Sequence, residues 1–191
     1  MGRAQRKPFT LEDFLAWERD LDERHEFVDG IIRMMVGGTN NHSRISLNVA
    51  MALGRRLGDG PCQVFAEGPM VVNGADAMYP DVVVTCSPVS LEERILPAPV
   101  VVVEVLSRST RRFDLEHKNA AYQTIPSVRH VVFVDHEKPR IDVYDRIGDG
   151  EEFAHRTLDD HTAPVALPAL GVEIPFAEVY RGSAVRPPGE W

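Results

Sequence analysis

Polar and apolar positions divide the chain into short segments of two periodicities. In residues 10–19, TLEDFLAWER, Leu11, Phe14 and Leu15 make one apolar stripe behind Thr10, with Asp13 three positions on. This predicts a short amphipathic helix that opens on a capping box. HEFVDGIIRMM follows, and Asp29-Gly30 between two apolar runs predicts a two-residue hairpin turn, because both turn positions need positive φ. That register sets Val28 opposite Ile31, Phe27 opposite Ile32 and Glu26 opposite Arg33. Beyond the loop GGTNN, Ile45, Val49, Leu53 and Leu57 recur every four residues and predict a helix over 42–57. Arg55, Arg56 and Gly58 suit its C-terminal end.

Farther on, strands dominate. Residues 62–72 read as a strand interrupted at Gly68-Pro69, NGADAM as a turn, and 80–86 and 99–106 as two valine-rich strands. A helix over 111–124 and a strand pair at 128–135 and 140–145, joined across HEKP, complete the regular part. The tail from 146 is less regular: the scattered apolar residues of 158–175 are expected to cover the sheet, and SAVRPPGEW to be a frayed end. Strands of mixed direction with helices packed on them give an α/β or α+β sheet.

Composition adds limits. A chain of 191 residues is expected to be one domain, 1–191, with its core over 10–180. No apolar run approaches the roughly 20 residues that span a membrane. The start MGRAQRKPF has basic residues but no apolar stretch behind them, so no secretory signal is expected. Cys62 and Cys86 are too few and too isolated to suggest a disulfide framework or a zinc site, which leads to reduced thiols and a cytoplasmic location as expectations. The net charge of −8 lowers the expectation of a nucleic-acid partner without excluding one, since local fields matter more than the total.

Candidate chemistry gathers between Tyr79 and Lys118. Glu104 shares a strand face with Val100, Val102 and Leu106, and an unpaired carboxylate there costs several kcal/mol unless it binds a cation or takes up a proton. The alternative is a strand that frays and leaves Glu104 at a solvated edge. Asp81 follows Pro80 at the head of the neighbouring strand. It is either a turn residue or, if the two strands pair, a second carboxylate converging with Glu104 on a divalent ion. Ligation by oxygen alone suits magnesium or manganese. Lys118 lies four residues after Asp114 on one helix face, which fits either a solvated ion pair or a lysine reaching over the carboxylates to orient water. The loop 107–112 carries Arg108, Arg111 and Arg112, either solvated or holding a phosphate backbone. Ser107 as a nucleophile lacks a histidine relay.

HEFVDGIIRMM, a helix beginning near His42, YPDVVV, VVVEVLS followed by RST, and DLEHKNAAY together resemble the Uma-two family of bacterial proteins. The resemblance spans roughly residues 10–180. It implies a PD-(D/E)XK restriction-endonuclease-like fold, a mixed sheet flanked by helices with an N-terminal helix and β-hairpin. In that superfamily the acid of the PD motif and the acid of the next strand bind the metal, and a lysine assists the attacking water. Those positions are Asp81, Glu104 and Lys118 here. The wider pattern has its lysine two residues after the second acid, where this chain has Leu106, so the resemblance implies that the lysine has moved to the helix. Glu26 is the further upstream acid that it implies, against a cross-strand ion pair with Arg33; His42 is read as a helix-start residue. The resulting expectation is a Mg²⁺- or Mn²⁺-dependent endonuclease acting on phosphodiester bonds, in DNA, with Asp114 holding Lys118 in place and a homodimer as the assembly. Two other readings stand beside it: a catalytically inactive binding or regulatory module of the same fold, and a metal-dependent hydrolase of small phosphorylated molecules.

Overall fold

Helix α1 (Leu11–Glu18) opens on the expected capping box: Thr10 Oγ1 accepts from the Asp13 N–H at 3.2 Å, and Asp13 Oδ2 accepts from the Thr10 N–H at 3.0 Å. This is a computed structural model that describes residues 9–159 and 161–185; most of the basic start and residues 186–191 of the SAVRPPGEW segment lie outside them. Strands β1 (His25–Val28) and β2 (Ile31–Met34) pair in the expected register, Glu26 opposite Arg33. Asp29 and Gly30 turn between them with φ of 52° and 72°. Helix α2 (Asn40–Leu57) begins at Asn40 rather than His42, because Thr39 caps it by accepting from the His42 N–H at 3.2 Å.

Three short strands follow: β3 (Gln63–Ala66), β4 (Val71–Val72) and β5 (Ala77–Met78). The expected turn over NGADAM therefore stops at Asp76. Asn73 Oδ1 accepts from the N–H groups of Ala75 and Asp76, and the chain is already extended at Ala77, which pairs with both β4 and β1. Next come β6 (Val82–Thr85) and β7 (Pro99–Leu106), then a helical segment in three parts: α3 (Arg111–Phe113), a π turn (Asp114–Lys118) and α4 (Asn119–Gln123). Strands β8 (His130–Asp135), β9 (Ile141–Arg146), β10 (Phe153–Leu158), β11 (Val165–Leu167) and β12 (Val172–Ile174) precede the short helix α5 (Phe176–Val179).

The central sheet has the order β10-β9-β8-β7-β6-β3. Strands β7 and β8 are parallel, joined by the helical crossover, and the other neighbours are antiparallel. A second sheet, β2-β1-β5-β4, carries the hairpin. The fold is thus the mixed α+β arrangement expected, and β7 at its centre is buried on both faces. Val101, Val103 and Val105 pack with α2, β11, β12 and α5 on one side. Val102 and Leu106 pack with Phe113, Tyr122 and Phe133 on the other. Each such side chain withdrawn from water contributes about 1.5–3 kcal/mol.

Several expectations are corrected. Cys62 and Cys86 form a disulfide, with Cα atoms 3.9 Å apart. Antiparallel pairing of β3 with β6 sets Gln63 opposite Thr85, so the next position out brings the two cysteines face to face, which their spacing along the chain conceals. The tail is more regular than its pattern suggests. FAHRTL pairs along its whole length with β9, on an edge where one side stays wet and mixed composition hides the strand. Within SAVRPPGEW, Val185 is buried in the core and the Ala184 N–H donates to Asn41 Oδ1 at 2.6 Å, so this part is packed, not frayed.

Candidate active site

The expected convergence of Asp81 and Glu104 occurs. Val82 is opposite Val103 in the β6–β7 ladder, so one step further Asp81 stands opposite Glu104. Asp81 Oδ2 accepts from the Val105 N–H at 2.6 Å, which ties the carboxylate to the strand that bears Glu104. Glu104 itself sits on the crossover-helix side of β7. It is 4% exposed, so the alternative of a frayed, solvated strand end does not hold.

Lys118, 3% exposed, closes the cluster from the helical crossover. Its Nζ lies 2.6 Å from Glu104 Oε1 and 2.8 Å from Glu26 Oε1. The solvated-pair alternative for Asp114 and Lys118 fails because both are buried. The expectation that Asp114 clasps Lys118 fails as well: among the described residues its ion partners are Glu26 and Glu104. Asp114 acts on it by charge alone and hydrogen-bonds the Thr110 side chain. The π turn is the local cause. It adds a residue to the helical repeat between Asp114 and Lys118, so both face inward without meeting.

Glu26 reaches the site from β1. Its register partner is Arg33, as expected, but its carboxylate goes to Lys118 and to the Tyr79 N–H, 2.9 Å away, while Arg33 lies over the Phe113 ring at 4.1 Å. Two participants were not assigned from the sequence. Tyr122 donates its hydroxyl to Glu104 Oε1 at 2.6 Å, and its position four residues after Lys118, on the same helix face, is the signal that could have found it. His42, at the start of α2, places Nε2 3.3 Å from Asp81 Oδ2, so it is more than a helix-start residue.

Charge in this pocket is unbalanced. Glu26, Asp81, Glu104 and Asp114 all act on a region whose one lysine among the described residues is Lys118. Burial is the main reason the Glu104 carboxyl is held well above its ordinary range; Lys118 opposes that shift, and the other three acids reinforce it. Burial would depress Lys118, but Glu104, Glu26 and Asp114 more than reverse this and keep it charged. For His42 burial again pulls downward, and the Asp81 hydrogen bond and charge, with the Val105 backbone, carry the net shift upward. Tyr122 is pushed upward by burial and by Glu104, which keeps it a neutral donor.

The arginine loop contributes less than its sequence suggests. Arg111 pairs with Asp135 and Arg112 with Glu116, while Ser107 Oγ is engaged by Thr110 Oγ1 at 2.7 Å in a local turn.

The profile of a family described as "Putative restriction endonuclease", Uma2, matches residues 11–177. The chain belongs to the Uma2 family. Among its relatives are two uncharacterised proteins of Synechocystis sp. The first, slr1290, is 32% identical over 177 residues, 91% of this chain and 92% of the relative. The second, sll1609, is 28% identical over 151 residues, 76% and 85% respectively. The fold also superposes on a crystal structure from Anabaena variabilis described as "a putative nuclease belonging to DUF820". Its TM-score is 0.73 at 19% identity, covering 91% of this chain and 98% of that one. At that identity the likeness shows that the Uma2 chain here shares the fold of that structure. Among the described residues no helix is long and apolar enough to cross a membrane.

Whether the Uma2 site suits a divalent cation can be judged from its donors. Among the described residues, contacts to Glu104 go to Oε1 and those to Asp81 go to Oδ2. Each carboxylate therefore keeps a second oxygen for another ligand. The surplus of buried negative charge favours a cation, and oxygen donors suit magnesium or manganese. No group of three or more His, Cys, Asp or Glu side chains is preassembled for a metal among the described residues. The two carboxylates would hold it with water completing the shell, a mode familiar for magnesium.

Proposed function

We propose that this protein is a metal-dependent endonuclease that hydrolyses phosphodiester bonds in DNA, with Mg²⁺ or Mn²⁺ held between Asp81 and Glu104. The observation that carries the reading is the convergence of a buried carboxylate, Glu104, and a partly buried one, Asp81, from adjacent strands with one buried lysine, in a chain of the Uma2 family. When bound, the metal would lower the pKa of a water and neutralise charge building on the phosphate. Lys118 orients the attacking water and balances charge from the Glu104 side, and Glu26 keeps its ammonium in place. Tyr122 holds Glu104 by its hydroxyl, and His42 orients Asp81. A cytoplasmic location belongs to this reading. So does a homodimer, supported by Ile31 and Met34 on the edge strand β2, both exposed.

Calorimetric titration with Mn²⁺ or Mg²⁺ tests it. The wild type should bind one ion, and Asp81→Ala with Glu104→Ala should abolish that binding and the cleavage of plasmid DNA. Metal binding that ignores both substitutions would sink the mechanism. A non-catalytic binding module is favoured by one feature, that Leu106 fills the strand position of the usual lysine and Lys118 already bridges Glu26 and Glu104. Tight DNA binding with no cleavage in either metal would select that reading.

A further inference from the structure

A cavity of ≈ 270 Å³, lined in part by Phe65 of β3 and by none of the cluster's own side chains, is not used by the proposed chemistry. Phe65, Val89 and Leu96 supply apolar lining, Gly68-Pro69 leaves bare backbone at one wall, and Leu91, 81% exposed, stands at the opening. Arg24 and Arg94 add two guanidinium groups, and Glu93 adds one carboxylate. Arg94 is already opposed by Glu18 at 3.5 Å. Arg24 is not: among the described residues no carboxylate lies within ion-pair distance of it.

Arg24 also stands close to the cluster. Its guanidinium donates to the Glu67 carbonyl, and the Glu67 N–H donates to the Asp81 carbonyl at 3.1 Å. It lies 5.4 Å from the centre of the Tyr79 ring, two residues before Asp81, and is itself two residues before Glu26. A guanidinium with no carboxylate in ion-pair distance among the described residues, at a hollow with both apolar and polar walls and two hydrogen bonds from Asp81, matches a nucleotide unit, which joins an apolar base face to a phosphate. Stacking on apolar or aromatic walls with a guanidinium on the backbone is how single strands are held without sequence reading.

We infer that this cavity receives the nucleotide adjoining the cleaved phosphodiester, with its base against Phe65 and Leu91 and its phosphate on Arg24. The assignment rests on the nuclease reading above and adds to it a flanking subsite and a residue that sets grip on the strand. A bound strand would run from the cavity past Glu67 to Asp81.

Fluorescence anisotropy with a labelled short DNA oligonucleotide, in EDTA so that no cleavage occurs, tests it. Arg24→Ala should weaken binding roughly ten-fold, about what one stacked or phosphate-held nucleotide is worth. Leu91→Glu, at an exposed position that folding tolerates, should weaken it similarly even if Arg24→Ala fails to fold. Wild-type affinity in both cavity variants overturns the subsite, and leaves the metal-dependent reading standing if Asp81 and Glu104 still govern cleavage. Arg24-dependent binding by a protein that never cleaves supports the subsite and removes the catalytic reading. Capture of a mononucleotide but of no oligonucleotide overturns the subsite in favour of a free-nucleotide pocket.

Discussion

Glu104 and Asp142 occupy one row of the central sheet, with Phe133 between them in register with both. Both are buried, and the protein treats their charges in opposite ways. Asp142 is fully answered: Arg140 binds it from two nitrogens at 2.8 and 2.9 Å, Thr157 donates at 2.6 Å and His155 lies at 2.9 Å. Burial alone would raise its carboxyl, but these hydrogen bonds carry the net shift downward. Glu104 receives one lysine and one phenol amid three other acids, and burial prevails. The contrast separates a carboxylate that fastens strands together from one left with charge to spare. Only the second has reason to attract a cation.

Substitutions can break this contrast, beginning with the largest effect. Glu104→Gln combined with Asp81→Asn should reduce DNA cleavage by roughly 10²–10³-fold or more, measured as plasmid nicking in Mg²⁺. Undiminished nicking would mean that the unbalanced cluster is not where the chemistry occurs.

Lys118→Met should cost about 3–5 kcal/mol at neutral pH in urea unfolding, because it removes the lysine of a buried cluster. It should also change the pH dependence. The folded-state pKa of Glu104 would stand above its unfolded value, so stability is fully present below the unfolded pKa and lost as pH rises through the folded one. Stability of the variant should therefore climb on acidification, and a variant whose stability is flat from pH 4 to 8 would contradict the account.

Tyr122→Phe removes one donor from Glu104 and leaves the packing. A 10–100-fold loss of Mn²⁺ affinity is expected, with a stability change of about 1 kcal/mol. A purely structural tyrosine would move stability and leave metal affinity alone. Asp142→Asn is the balanced counterpart. It should cost about 1.5 kcal/mol and leave metal binding unchanged. Because the folded pKa of Asp142 is depressed, its stabilisation is present above the unfolded pKa and disappears as pH falls through the folded value. The gap between wild type and variant should therefore close in acid unfolding near and below pH 4.

Much of this arrangement was legible along the chain. The Asp29-Gly30 turn fixed the hairpin register, and the valine run marked β7 as central and Glu104 as costly to bury. Antiparallel neighbours then brought Asp81 beside it. What escaped depends on contacts between distant segments. The family resemblance points to Glu26, but its turn from Arg33 to Lys118 is one that no local pattern of charges reveals. Tyr122 looks like an ordinary core aromatic until its hydroxyl is found on Glu104. The two cysteines seem unrelated until β3 and β6 are set side by side, and β10 is strand only because β9 offers it an edge.

The π turn from Asp114 to Lys118 makes this segment sensitive to length in an unusual way. An α-helix advances about 100° per residue, so removing one residue from the turn would regularise the helix and improve its backbone hydrogen bonding. The same deletion would swing Lys118 about a quarter of a circle away from Glu26 and Glu104. A change that makes the helix backbone more regular would thus disarm the pocket, and it would lose stability too, because Glu26 and Glu104 would be left buried without their cation.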